Sequence, residues 1–153
     1  MMSLCCDILK ALEGKTLSTA ESCTGGLIGA MLTAVPGSSG VYKGGVVSYW
    51  SEVKQNLLGV EETLLETNGP VSQPVAKAMA EGVRHALRTD IAVSVTGLAG
   101  PDADDFGYPV GTVFIGYADD KHSIVKECHF SGDRETVRQN AAGAALRLIL
   151  ENC

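Results

Sequence analysis

The chain has 153 residues, 45% of them hydrophobic: enough for one full core, too short for two comfortable ones, so it reads as a single domain over 1–153. A formal net charge of −6 excludes the usual nucleic-acid binder, which presents a basic face to phosphates, and no run of Lys and Arg offsets it. No apolar run approaches the ~18 residues of a membrane span and no charged-then-apolar leader opens the chain, so a cytoplasmic location with no membrane partner is expected.

Residues 3–12 place Leu4, Cys5, Ile8, Leu9, Ala11 and Leu12 at helical spacing, and Gly14 ends the run. Residues 15–20 read as a strand, the segment 22–26 as a strand-to-helix turn, and the helix that follows as running to about Thr33, where Pro36 and a Gly/Ser cluster stop it. Residues 41–50 are β-branched and aromatic, hence a strand; Ser51 opens a short hydroxyl-capped helix through Leu58. A further helical piece is expected over 61–67, then a turn at Asn68-Gly69-Pro70. Ser72 begins a longer helix to about Arg88 with Val75, Ala76, Met79, Ala80, Val83 and Leu87 on one stripe. The apolar run 91–95 is a strand buried on both faces, and it leads into Thr96-Gly97-Leu98-Ala99-Gly100-Pro101. Asp102-Ala103-Asp104-Asp105 reads as a solvated acidic loop, at most a weak cation ligand. Residues 110–118 and 123–130 flank Asp119-Asp120-Lys121-His122 as a β-hairpin, and a last helix follows Ser131-Gly132 with Asp133 in its first turn. The order predicts a three-layer α/β/α sandwich with a mixed β-sheet.

Chemistry is expected at Thr19-Ala20-Glu21-Ser22-Cys23-Thr24-Gly25-Gly26, because a glycine turn between strand and helix lets backbone N–H groups approach an oxyanion or phosphate. Ser22 there is either a nucleophile, as in a nucleophile elbow, or, like Thr24, a helix cap. If the strands before Ser22 and Thr96 run parallel, both loops line one crevice at the carboxyl edge of the sheet. His85, His122 and His129 sit on a helix and in the hairpin, which disfavours a Ser-His-Asp triad. Lys54 is the better partner for Ser22, against its plain reading as an exposed helix lysine. To act as a base its amine must fall from about 10.4 toward 7, which demands roughly 4–5 kcal/mol of desolvation or nearby positive charge. Cys23 is an alternative nucleophile if its thiol pKa is depressed. The five cysteines, Cys5, Cys6, Cys23, Cys128 and Cys153, have no C-x-x-C spacing, so reduced thiols and no metal site are expected.

Six stretches in the same order and spacing carry a resemblance: Ala20 to Gly26; Gly45-Val46-Val47-Ser48-Tyr49 with Lys54 and Leu58-Gly59-Val60; Gly69-Pro70-Val71-Ser72; Thr96 to Pro101; Pro109-Val110-Gly111-Thr112-Val113; and Phe130-Ser131-Gly132-Asp133-Arg134 with Val137-Arg138. Together they resemble the CinA C-terminal domain family over nearly the whole chain. That resemblance implies a nicotinamide mononucleotide deamidase (PncC-like), an amidohydrolase of the pyridine nucleotide cycle that needs no cofactor and releases nicotinate mononucleotide and ammonia. It implies Ser22 as nucleophile, Lys54 as general base and Tyr49 as a hydroxyl that helps move the proton. Backbone N–H groups around Thr24, Gly25 and Gly26 would hold the oxyanion. Thr96, Gly97 and Gly100 would bind substrate, and Arg134 would pair with phosphate or remain a surface arginine. The acidic 102–105 loop departs from the glycines usual in the family, which bears on substrate affinity or choice. The molybdopterin-binding-like domain of longer CinA proteins is not in this sequence, so activity tied to it is not expected. The alternative from another class is a non-catalytic nucleotide-binding or competence/damage-inducible interaction module. Self-association through an exposed helix would be common in a small enzyme of this kind.

Overall fold

Strands buried along their whole length must be covered on both faces, and β1 (Leu17–Glu21), β4 (Thr112–Ala118) and all but the last residue of β3 (Ile91–Gly97) are buried in this way. The computed structural model describes residues 1–153 and places them at the centre of a five-stranded sheet, order β2-β1-β3-β4-β5, with β2 (Tyr42–Val47) and β5 (Ser123–His129) on its edges. β1 runs parallel to β2 and β3, whereas β3-β4 and β4-β5 are antiparallel, so the sheet is mixed.

One face is covered by α1 (Met2–Ala11), α2 (Leu27–Thr33) and α6 (Arg134–Asn152), which pack on one another. The other is covered by α5 (Gln73–Leu87), with α3 (Ser51–Leu58) and α4 (Glu62–Asn68) against it. A short 3₁₀ turn at Ser38–Gly40 leads into β2. The three-layer α/β/α architecture is therefore present. Period-two alternation assigns the core: Ile91, Val93 and Val95 join Ile8, Ile28, Leu146 and Ile149 on the α6 face, while Ala92 joins Val75, Met79 and Val83 of α5.

Boundaries differ from the sequence expectation in two instructive places. β2 stops at Val47, three residues before the expected Trp50, because the carbonyls of Ser48 and Tyr49 leave the ladder to accept from Lys54. Ser51 does not cap α3, whose first turn starts from Trp50 without a side-chain cap, and the Ser72 hydroxyl donates to the Gly69 carbonyl instead of capping α5. Asp133 does cap α6, accepting from the Thr136 N–H at 2.8 Å.

The chain passes from β1 over the α6 face to β2, then back over the α5 face to β3 on the other side of β1. Connections leave β1 and β3 in opposite directions, which opens a crevice at their carboxyl ends. The position of α3 at that crevice is set by one glycine: a Cβ on Gly82 of α5 would collide with the Leu58 carbonyl that ends α3. Gly82→Ala is expected to destabilise by roughly 1–3 kcal/mol, overpacking outweighing the ~1 kcal/mol helix-propensity gain. Urea midpoints check this; an unchanged or raised midpoint would mean that α3 yields without cost.

Candidate active site

Alternation along β1 sends consecutive side chains to opposite sides at the end of the strand. Glu21 turns toward α2, where its buried carboxylate accepts the N–H groups of Gly26 (3.2 Å), Ile28 (2.9 Å) and Gly29 (3.1 Å). The start of α2 is thus capped by Glu21, not by Ser22 or Thr24. Freed from capping, Ser22 turns to the α3 side. Its N–H donates to the Val95 carbonyl at 2.9 Å and its own carbonyl accepts from Gly25, so the turn is held at both ends.

Lys54 reaches Ser22 from the first half of α3. Its Nζ lies 2.8 Å from Ser22 Oγ, 2.6 Å from the Ser48 carbonyl and 3.2 Å from the Tyr49 carbonyl, and the residue is 1% exposed. The exposed-lysine alternative is overturned. Burial pushes the amine down from the ordinary 10.5 to about 8, with the Cys23 thiol acting weakly in the opposite sense. At pH 7 roughly a tenth of the molecules then carry a neutral amine, against fewer than about one in a thousand for an ordinary lysine. The two carbonyls also orient it. Charged, the ammonium donates three hydrogens, one of them to Ser22 Oγ; neutral, it keeps two on the carbonyls, and its lone pair faces the Ser22 hydroxyl.

The pair lines a cleft of about 250 Å³, floored by Thr96-Gly97-Leu98-Ala99-Gly100 and rimmed by Tyr49, Asp102, Asp104 and Arg134. Here several expectations change. Thr24, Gly25 and Gly26 do not line it: the Gly26 N–H belongs to Glu21 and the Gly25 N–H to Ser22, so neither is free for an oxyanion. The N–H groups of Cys23 and Thr24, the two residues before these glycines, make no backbone hydrogen bond, and that of Cys23 lies against its own thiol. The Tyr49 hydroxyl accepts from Arg134 at 2.9 Å and does not join the Ser22–Lys54 chain, where Tyr49 takes part through its carbonyl. The Thr96 hydroxyl donates to the Pro70 carbonyl, tying the two loops together. Arg134 spans the mouth, its second nitrogen donating to the Gly100 carbonyl at 2.6 Å.

Burial raises the Cys23 thiol to about 11, so it is protonated at neutral pH and ill-suited as a nucleophile. None of the three histidines lines the cleft. A larger hollow of about 500 Å³ lies at the opposite edge of the sheet, but its central groups are tied to one another, the Tyr117 hydroxyl and the Lys121 and His122 N–H groups all donating to Asp119. Sequence reasoning missed Glu21, the Ser48 carbonyl and Arg138, whose guanidinium donates to the carbonyls of Cys23 (3.0 Å) and Thr24 (3.1 Å). A Glu just before a glycine turn, with no cation nearby in sequence, was the available signal for the first.

A family model, the CinA C-terminal domain, matches residues 2–153. A CinA-like protein of Geobacter sulfurreducens is 48% identical over 134 residues, covering 88% of this chain and 32% of that protein; one from Sulfurihydrogenibium sp. is 50% identical over 135 residues, covering 88% and 34%. The chain thus spans about a third of the length of the curated relatives it matches. Among solved structures, competence damage-inducible protein A from Klebsiella pneumoniae superposes with a TM-score of 0.96 at 35% identity, covering 99% of this chain and 95% of that one. A competence-damaged protein (CinA) superfamily protein from Escherichia coli gives 0.97 at 32% identity, covering 99% and 90%.

Because the Lys54 pKa is lower folded than unfolded, the unfolded chain binds the extra proton between about pH 8 and 10.5, and stability contributed by this group rises with pH across that window. Relative to Lys54→Met, the wild type is expected to gain on the order of 2–3 kcal/mol between pH 7 and pH 10, read from urea unfolding at both values. A difference independent of pH would mean that the amine titrates as an ordinary lysine.

Proposed function

Since the chain belongs to the CinA C-terminal domain family, we propose that it is a nicotinamide-nucleotide amidase, hydrolysing the carboxamide of nicotinamide mononucleotide to nicotinate mononucleotide and ammonia. One observation carries the reading: a fully buried, desolvated amine with no carboxylate partner sits 2.8 Å from a serine hydroxyl inside a cleft. A domain that only binds a nucleotide has no use for that pair, which costs stability at neutral pH.

In this reading the neutral Lys54 amine takes the Ser22 proton as Oγ bonds to the carboxamide carbon. The carbonyl oxygen becomes an oxyanion beside the Cys23 N–H, in the cleft lining, with the Thr24 N–H directly behind it, neither of which makes a backbone hydrogen bond. The Lys54 ammonium then protonates the departing nitrogen as the C–N bond breaks, releasing ammonia and leaving nicotinyl-Ser22. Water attacks the ester, its proton passes to Lys54 and on to Ser22 Oγ, and nicotinate mononucleotide leaves. Arg134 and the unpaired N–H groups of Ala99 and Gly100 suit the 5′-phosphate at the cleft mouth. Asp102 and Asp104, in the same lining, favour a ligand that brings hydroxyls and a cationic pyridinium ring over one with a second phosphate.

Purified protein is expected to release ammonia from nicotinamide mononucleotide, with Ser22→Ala and Lys54→Ala each slowing it by more than about 10³-fold. Lys54→Arg should not rescue, since arginine stays charged. Binding of the nucleotide without turnover would return the interaction-module reading. The kcat/KM profile should rise with pH to a plateau with a midpoint near 8, the direction set by a base that must be neutral. A profile flat from pH 6 to 9 would remove Lys54 as the base.

A further inference from the structure

Arg138 lies on α6, across the sheet layer from Lys54, and its side chain meets the back of the Ser22 turn. Its Nε donates to the Cys23 carbonyl at 3.0 Å and a terminal nitrogen to the Thr24 carbonyl at 3.1 Å. A guanidinium holding two successive carbonyls fixes both peptide planes at once, because its donors are coplanar and rigidly spaced.

In a trans peptide the carbonyl and the following N–H point in opposite directions. Pinning the Cys23 carbonyl toward α6 therefore turns the Thr24 N–H away from α6. The preceding plane is fixed in the same manner, the Ser22 carbonyl accepting from Gly25 at 3.0 Å. These two amides make no backbone hydrogen bond, and they immediately follow the residue whose oxygen would attack. Rotation of the Cys23–Thr24 plane would put a carbonyl where a donor is needed, reversing the local dipole.

We infer that Arg138 is a positioning residue for oxyanion stabilisation: through the Cys23 and Thr24 carbonyls it holds the Cys23 and Thr24 N–H groups toward the atom that becomes negatively charged when Ser22 attacks. A guanidinium on the far side of a peptide unit also polarises it, strengthening the N–H as a donor. This role rests on the proposed Ser22 chemistry but not on the identity of the substrate. Gly25 is consistent with it, since a Cβ there would meet the Arg138 guanidinium at 3.6 Å, so the turn runs close beneath the fork.

The test uses a reaction independent of the native substrate. An alkyl fluorophosphonate phosphonylates an activated serine: Oγ bonds to phosphorus, fluoride leaves, the serine proton passes to the base, and negative charge builds on the phosphoryl oxygen. The second-order rate at Ser22 is expected to fall roughly a hundredfold in Arg138→Met, about the loss of one oxyanion donor. Arg138→Lys, which keeps the charge but loses the fork, should recover only a small part. On nicotinamide mononucleotide the same variants should lose kcat with KM changed less than about threefold and the pH midpoint unmoved. A raised KM with intact kcat would overturn the inference in favour of a phosphate contact, and a shifted midpoint would overturn it in favour of an effect through Lys54. Equal phosphonylation of wild type and both variants, or a wild-type Ser22 inert to the probe, would also sink it. If the wild type never deamidates the nucleotide but the variants still slow phosphonylation, the substrate reading fails and this inference stands. Thermal melts identify a variant that fails to fold, in which case Arg138→Lys carries the comparison.

Discussion

Water is kept from one lysine amine, and much of the surrounding architecture answers that constraint. Burying a lysine without a carboxylate would normally be settled by expelling it to the surface. Here α3 begins directly after the strand end that supplies two carbonyls, so Lys54 curls back onto Ser48 and Tyr49, the residues just before its own helix. Those acceptors make burial tolerable without supplying a counter-charge, and the amine stays near the pH at which it can give and take a proton. A carboxylate in their place would hold the lysine charged and remove the neutral amine on which the proposed chemistry depends.

The cleft is assembled from both faces of the sheet. Lys54 arrives from the α5 layer, Arg134 and Arg138 from the α6 layer, and Ser22 stands between them at the point where the chain reverses direction across β1. Glu21 makes this division possible. By taking the first N–H groups of α2, its carboxylate leaves the neighbouring hydroxyl unoccupied and fixes the turn against the helix. Consecutive residues thus serve opposite layers, a direct consequence of the two-residue period of a strand.

Charge is distributed unevenly around the opening. Arg134 holds the Gly100 loop and the Tyr49 hydroxyl together across one side, while Asp102 and Asp104 occupy the lining of the same cleft. The acidic pair follows directly on the Gly100-Pro101 turn that Arg134 holds, so both signs of charge meet within one short loop. Opposed charges across a narrow opening suit a zwitterionic ligand better than a polyanion.

Much was legible without coordinates, and for identifiable reasons. Helical spacing at Val75, Met79 and Val83 and the apolar run at Ile91 record how each segment must bury itself, so element types, the hairpin and the three layers followed from the pattern. The order of glycine-rich turns marked Ser22 and Thr96 as neighbours. Hydrogen-bond partners were not legible in the same way. Nothing local distinguishes a Glu21 that caps a helix from one facing water, a Tyr49 that offers its carbonyl from one that offers its hydroxyl, or an Arg138 on a surface from one gripping a turn 115 residues earlier. Sequence by itself determined which segments are strands or helices and which face of each is apolar, because that periodicity is a local property. Only the tertiary structure decided which polar groups are buried together, because desolvation and hydrogen bonding depend on what the remote parts of the chain bring within about 3 Å.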